Sequence, residues 1–421
     1  IICKIGEGVV SGGVRRTALI SLSDLDDLEI RDSKKGQFYM TQPQRSLANN
    51  SAVYMQKPSN AEFLDEWTAL MKSGSGERGI FNRGGLKTTM PARRLAISKG
   101  YIDSYGTNPC GEIILRSKQF CNLTEVVARH EDTLESLKRK IRVATIIGTY
   151  QSSLTNFMYL SPEWKKNCEE ERLLGVSITG QWDSPASRKP EVMRALRDES
   201  IKVNKQFAKR FGINPSASIT CTKPSGNLSQ TVDCSSGVHP RFAPFYIRRV
   251  RIAATDALFK MLKEQGVQYH PEVGQTLENA TTYVVDFPVR APKGSIFKND
   301  QTAIDQLEYW KQVKVNFTEH NPSTTVSVGD DEWLEVGNWV YKNWDIVGGL
   351  SFLPRSNHVY RLAPYEEITE VQYNELAKRY EHIDFSKIVT YERADETEVK
   401  KELACAGGVC EIETVPSESK K

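Results

Sequence analysis

Short apolar runs alternate along this chain with longer stretches of helical periodicity, and that alternation restricts the architecture more than any other feature. Residues 14–22, after Gly12-Gly13, and 51–55, after Asn49-Asn50, read as strands, as do 281–289 (TTYVVDFPV) and 324–328. Residues 132–150 read as a helix, with Leu134, Leu137, Ile141 and Ile146 on one side. Pro162, after Ser161, marks the first turn of another helix, which the pattern carries to near Gly175. Strands alternating with helices of this length predict an α/β fold on a mainly parallel sheet or barrel. No internal repeat is present. The opening IICKIGEGVV sets Ile1, Ile2, Ile5 and Val9 at helical spacing, which predicts an uncapped amphipathic helix at the first residue and a chain that is one piece of a split or longer protein. From about Ala394 the sequence turns charged and then Gly-, Ser- and Glu-rich, which predicts a mobile tail over 394–421 beside a catalytic portion over 1–393.

Composition excludes several functions. The 421 residues carry a net charge of +3, too small to make nucleic acid or an anionic membrane the main partner. No apolar run has the length of a membrane span, and nothing near the start resembles a secretory leader, so a cytoplasmic enzyme is expected. The eight cysteines are widely scattered, unlike a secreted disulfide framework, and no pair has zinc-site spacing. No structural metal is expected, and Cys3, Cys168, Cys221 and Cys234 read as packing residues.

The chemistry concentrates in TNPCGEIILRSKQFCNLTEV (107–126), which overlaps a loop candidate over 106–121. Asn108, Cys110 and Glu112 occupy alternate positions, which in extended backbone presents an amide, a thiol and a carboxylate on one side. Pro109 and Gly111 disfavour a helix and suit a tight loop. Cys121 follows eleven residues later, within reach if the loop folds back onto a neighbouring strand. A second segment, Thr222-Lys223-Pro224-Ser225-Gly226-Asn227, is a small-residue turn before a possible helix. It suits a phosphate cradle, and equally an ordinary polar turn. His239 reads as a structural histidine, and Arg248, Arg249 and Arg251 as a solvated or salt-bridged face.

Asn108-Pro109-Cys110-Gly111-Glu112 resembles the finger-loop signature of ribonucleotide reductases. The Pro-Cys-Gly form, the following FCNL and the early GGVRR resemble the adenosylcobalamin-dependent class II enzymes, and among them the monomeric ribonucleoside-triphosphate reductases. The likeness runs on through GERGIFN (76–82), GVSITG (175–180), TKPSG (222–226), GVHP (237–240), DFPV (286–289) and CAGGVC (405–410). It implies a ten-stranded α/β barrel, here incomplete on its N-terminal side, with Cys110 at the tip of an internal loop. It further implies adenosylcobalamin as cofactor, Cys110 as a thiyl radical that abstracts the ribose 3′-hydrogen, Glu112 as general base and Asn108 as a ligand of the sugar hydroxyls. Cys121 would be one of two thiols reducing the 2′ position. Cys405 and Cys410 would reduce the resulting disulfide and pass the oxidation to thioredoxin or a similar dithiol. The loop 222–227 would take the substrate phosphates.

The resemblance also marks departures. Such enzymes have a long preceding region that supplies the thiol paired with Cys121, so an N-terminal companion polypeptide is expected. The tail has no glycyl-radical motif, and Tyr360 and Tyr365 lie too far apart for the tyrosine pair of a class I large subunit. A catalytically inert partner completing another reductase chain is the remaining alternative, against which the intact Asn108, Cys110 and Glu112 speak.

Overall fold

Residue chemistry at the helix ends explains where the longest elements begin and stop. The structure, a computed structural model, describes residues 1–8, 10, 11, 15, 16, 18–36, 38–98, 102–272, 275–355 and 362–392. Helix Asn60–Ser73 opens on a capping box between Ser59 and Glu62 and closes on Gly74 in the left-handed region. It buries Phe63, Trp67 and Leu70, one turn apart, on a single face. Helix Leu134–Gln151 opens on a second capping box, Thr133 with Ser136, and buries Leu137, Ile141 and Ala144. Helix Pro190–Phe211 has Pro at its first position and Gly212 after its last.

The mainly parallel strands fall into two sets. One sheet runs in the order Thr325–Val328, Gly349–Pro354, Gly79–Asn82, Ala48–Tyr54, Leu19–Ser23. Its pairings are parallel except that Gly349–Pro354 meets Gly79–Asn82 antiparallel, with Gly349 opposite Phe81. Asn122–Val127 pairs in parallel with Leu174–Thr179, and parallel bridges Val176–Thr220 and Thr222–Pro322 extend this second set. Pro322 lies three residues before Thr325–Val328, so the bridged segment runs directly into the first sheet. Behind the first sheet lies an aromatic core of Trp67, Trp310, Trp333, Trp339, Trp344 and Phe352. Truncating a fully buried member such as Trp310 to alanine would cost about 3–5 kcal/mol. Behind the second, Leu137, Ile141, Leu174, Val176 and Leu196 join helices 134–151 and 190–211 to the strands.

The α/β class expected from the alternation is present, and several expected elements change. The helix from Pro162 ends at Glu171, with Arg172 left-handed at φ 45°, and Gly175 lies inside the strand that follows. The strand expected at 14–22 is described as Leu19–Ser23, while Arg15–Arg16 pairs with Val10–Ser11. Residues 281–289 do form a strand, Thr282–Arg290, but in a four-stranded antiparallel sheet with Phe245–Ala253, Tyr269–Pro271 and Tyr365–Glu367. That sheet has its own core of Phe259, Met261, Leu262, Tyr283 and Val285. Arg249 bonds Asp286 and Glu366 there, and Arg251 bonds Glu272, which is the salt-bridged face expected of this cluster. The opening helix forms as Ile2–Gly8, with Ile1, Ile2 and Ile5 exposed.

Candidate active site

A two-rung ladder, Gly106 with Leu115 and Thr107 with Ile114, carries the finger loop. The loop is the tight turn that Pro109 and Gly111 suggest. Gly111 donates its N–H to Asn108 O (2.9 Å) at φ +79°, and Ile113 N–H bonds Asn108 Oδ1 (3.0 Å). The backbone reverses here with Cys110 exposed at the tip and Glu112 buried, and the three groups stay together: the Asn108 side chain bonds the Glu112 carboxyl, which in turn acts on the Cys110 thiol.

The tip is clamped from outside. Pro109 O accepts from Asn49 Nδ2 (2.7 Å), Cys110 O from Ser323 Oγ (2.6 Å), Gly111 O from Asn321 Nδ2 (3.0 Å) and Glu112 O from Asn321 N–H (3.1 Å). Four successive carbonyls are thus held by strand Ala48–Tyr54 and the 321–323 segment. The base of the loop is fixed by buried Arg94, whose Nη2 donates to Ile114 O (2.8 Å) and Glu171 Oε2 (3.0 Å). Glu171 also accepts from Tyr105 OH and Gln119 Nε2. His320 Nδ1 accepts from Ile114 N–H, and its Nε2 faces Leu174 O at 2.9 Å. Burial and the adjacent Arg94 guanidinium hold His320 well below its ordinary pKa, so it stays neutral.

Cys110 lines a cavity of about 270 Å³, together with Thr107, Pro109, Ser323 and Gly349. Pro224, from the second predicted segment, closes the same cavity. Burial among these walls, with the Glu112 carboxyl adding to it, pushes the Cys110 thiol up to about 11, so it is protonated at neutral pH. Burial raises Glu112 above the ordinary carboxyl range, against the opposing pull of the Asn108 side chain. Glu112 Oε2 has no hydrogen-bond partner among the described residues although the side chain is buried, which leaves it free for a proton or a ligand hydroxyl. Cys121 is half-buried, and burial followed by the influence of Glu112 raises its thiol well above the ordinary value.

A glycine brings the inner face together. A Cβ on Gly175 would lie 2.4 Å from Leu123 Cδ2, 2.9 Å from Ile113 Cδ1 and 3.1 Å from Cys221 Sγ, so a larger residue would push these side chains apart. Cys168, Cys221 and Cys234 are buried, in keeping with packing roles, and Cys3 is half-buried. Cys405 and Cys410 lie outside the described residues.

The loop 222–227 abuts this face. Thr222 is buried, and Lys223 N–H bonds Ser177 Oγ (2.9 Å). Burial raises both the Cys110 thiol and the Glu112 carboxyl, and the Lys223 ammonium opposes that rise more weakly in each, which ties the two loops electrostatically. Ser225 is left-handed at φ 53°. The N–H groups of Ser225, Gly226, Asn227 and Leu228 donate to no acceptor among the described residues. The helix expected after them is only Leu228–Thr231, so an anion here would depend on those N–H groups and the side chains, not on a helix dipole. Gly237 of the GVHP block buttresses the loop: a Cβ there would sit 2.3 Å from Lys223 O. His239 bonds Ser236 O and Thr325 N–H, a structural role.

Sequence reasoning missed Asn49, Asn321, Ser323, Arg94, Glu171 and Glu125. Glu125 alone had a local signal, since it alternates with Leu123 along strand Asn122–Val127 and with Cys121 just before it. It accepts from Ser177, Lys223 and Ser225.

No family model matches the chain. A probable adenosylcobalamin-dependent ribonucleoside-triphosphate reductase of Dictyostelium discoideum is 28% identical over 91% of the chain and 50% of that protein. Adenosylcobalamin-dependent ribonucleoside-triphosphate reductases of Lactobacillus acidophilus and Euglena gracilis are 27% and 26% identical, over 98% and 96% of the chain and 58% and 55% of those proteins. The chain therefore spans a little over half the length of these relatives. A crystal structure of a B-12 dependent (class II) ribonucleotide reductase superposes with TM-score 0.71 at 20% identity, over 89% of the chain and 55% of that one. The Actinobacillus ureae class Id ribonucleotide reductase alpha subunit shares the fold more loosely, with TM-score 0.54 at 12% identity over 80% and 70%. Over nearly all of its own length, this chain is similar to adenosylcobalamin-dependent ribonucleoside-triphosphate reductases.

Proposed function

We propose that the chain carries the radical chemistry of ribonucleotide reduction, acting on ribonucleoside triphosphates. One observation carries the reading: a clamped loop tip places an exposed, protonated Cys110 in one cavity with the loop 222–227. In this reading the oxidised Cys110 sulfur takes the ribose 3′-hydrogen atom, forming S–H and leaving a carbon radical on the sugar. Glu112, raised by burial and with a vacant oxygen, accepts the 3′-hydroxyl proton, and Asn108 orients the sugar. The 2′-hydroxyl leaves as water, while Cys121 and a second thiol supply two electrons and two protons and end as a disulfide. The hydrogen atom then returns from Cys110 to the 3′ carbon. Thr222, Lys223, Ser225, Gly226 and Asn227 hold the phosphates, and Pro224 shapes the turn.

The loop tip fits adenosylcobalamin, the cofactor in the relatives' names. Cys110 is exposed, and a Cβ on Gly111 would meet nothing within 4 Å, so a bulky group has an open approach to the thiol. When bound, the cofactor supplies the one-electron chemistry of its carbon–cobalt bond.

The described parallel strands are part of a ten-stranded α/β barrel in this reading, with 1–393 as the catalytic portion and 394–421 as the tail. There Cys405 and Cys410 reduce the disulfide by thiol exchange and are themselves reduced by thioredoxin or a similar dithiol. The longer relatives, and strand Leu19–Ser23 at a sheet edge, support a companion polypeptide that supplies the second thiol. No described helix is long and apolar enough to cross a membrane. We assign the enzyme to the cytoplasm. An inert structural role leaves the clamp and the vacant Glu112 oxygen without a purpose.

Cys110→Ser tests the assignment, because an O–H bond yields its hydrogen atom far less readily than S–H at nearly the same volume. Deoxyribonucleotide formation, assayed with adenosylcobalamin, a dithiol and the companion polypeptide, should fall at least about a thousandfold, about 4 kcal/mol in barrier. Substantial turnover by the serine variant would exclude Cys110 as the initiator.

A further inference from the structure

We propose that Glu125 is an internal anion that occupies the phosphate-binding donors of the loop 222–227 and must surrender them when a polyphosphate binds. The inference rests on the reading that this loop takes the substrate phosphates, and it names what holds the loop until then. Strand Asn122–Val127 pairs with Leu174–Thr179 so that Glu125 lies opposite Ser177, and parallel bridging places Cys221 and Lys223 on the next segment. The Glu125 side chain is only 3% exposed. Its Oε1 accepts from Ser177 Oγ at 3.3 Å, and its Oε2 accepts from Ser225 Oγ at 3.0 Å and Lys223 Nζ at 3.4 Å.

An ammonium and two hydroxyls converging on one buried carboxylate are the donor types that converge on a phosphate. The loop backbone adds the unpartnered N–H groups of Ser225, Gly226, Asn227 and Leu228, which the carboxylate does not reach. The cradle is therefore half filled: side-chain donors are engaged by Glu125, and backbone donors are vacant. An arriving phosphate and the carboxylate are both anions and repel each other at this range. Lys223 and Ser225 then either stay on Glu125, leaving the phosphate to the backbone alone, or turn to the phosphate. Pro224, between Lys223 and Ser225, lines the Cys110 cavity, so a phosphate held by its two neighbours keeps the nucleotide next to that cavity. Glu125 is a positioning residue in this scheme. It keeps the loop ordered before binding and sets the affinity for the polyphosphate, without touching the ribose.

The test is calorimetric titration of the full chain with CTP and, separately, with cytidine, comparing wild type with Glu125→Gln, Glu125→Asp and Lys223→Met. Glu125→Gln keeps the shape and an acceptor oxygen while removing the charge. It should bind CTP at least tenfold more tightly with cytidine affinity unchanged, a split that a general packing defect would not produce. Glu125→Asp retracts the carboxylate by one methylene from Lys223 and should shift CTP affinity the same way, which keeps the test decisive if the glutamine variant folds poorly. Unchanged or weaker CTP binding by both variants would overturn the role of Glu125. If Lys223→Met left CTP binding intact, or if no form bound CTP, the phosphate reading of the loop would fall and the inference with it. Weaker CTP binding in Lys223→Met beside no gain in the Glu125 variants would keep the phosphate loop and discard Glu125 as its competitor.

Discussion

Removing the Asn321 side chain should loosen the finger loop by a predictable amount. Asn321 is fully buried, and its Nδ2 donates to Gly111 O at 3.0 Å and Gly349 O at 3.1 Å. In Asn321→Ala both partly buried carbonyls lose that donor. An unsatisfied buried carbonyl costs about 1–3 kcal/mol, so the pair sets a loss of about 3 kcal/mol. Because Asn321 joins the loop tip to strand Gly349–Pro354, the loss falls on opening of the loop. Amide hydrogen exchange reads this directly, since Gly111 and Ile113 donate their N–H groups within the turn. Their exchange should accelerate roughly a hundredfold, the factor that about 3 kcal/mol represents. Ser323→Ala removes one bond, to Cys110 O, and should accelerate exchange roughly tenfold. Asn49→Ala should change it no more than about threefold, because Asn49 is exposed and water replaces its bond to Pro109 O. Acceleration of less than about threefold in Asn321→Ala, or a larger effect from Asn49→Ala, would refute the clamp.

Alkylation of Cys110 should be slow at pH 8 despite its exposure, roughly a hundredfold slower than an ordinary thiol, and should climb with pH toward about 11; peptide mapping after iodoacetamide showing a plateau by pH 9 would contradict this. Burial raises the Glu112 carboxyl, so its contribution to stability is present below its unfolded pKa and is lost as pH rises through the folded value. Glu112→Gln should therefore raise the melting temperature at pH 7, by a margin that shrinks toward pH 4, and equal shifts at both pH values would count against burial as the cause. Changing Cys405 and Cys410 together to Ser should spare a single turnover and block multiple turnovers with thioredoxin, while a small dithiol restores them. Loss of the first turnover would assign the tail a structural part instead.

The elements that the sequence located best are those whose ends are chemically marked. Expected at 132–150, the helix is found at Leu134–Gln151 because the capping box at Thr133 and the spacing of Leu137 and Ile141 point the same way. Where marks conflict, boundaries moved. After Pro162 the helical pattern runs into LLGVSIT, an apolar run that suits a buried strand as well as a helix, and the left-handed Arg172 makes the break that no glycine announces. Pairing partners were less legible still. Residues 281–289 are mostly apolar apart from Asp286, as a buried parallel strand would be, yet Val284 and Val285 pair antiparallel with Arg251 and Val250. The run specifies that both faces are covered, and the direction of the neighbour depends on connections that it does not contain.

The site shows the same division between what a segment states and what it requires from elsewhere. Cys110 between Pro109 and Gly111 was legible as a loop tip, and the chemistry of that tip leaves its own bonds unmade. Pro109 has no N–H to give, and Gly111 at φ +79° spends its own on Asn108 O. Carbonyls 109 to 112 therefore need donors from other elements, which a reading of the loop alone can demand but not identify. The side-chain donors prove to be Asn49, 60 residues before Pro109, and Asn321 and Ser323, 210 and 213 residues after Gly111 and Cys110. Each lies in a short Asn- or Ser-containing stretch that reads locally as a turn. Their role is created by the approach of strand Ala48–Tyr54 and the 321–323 segment to the same cavity, so the thiol is held still by residues that carry no chemistry of their own.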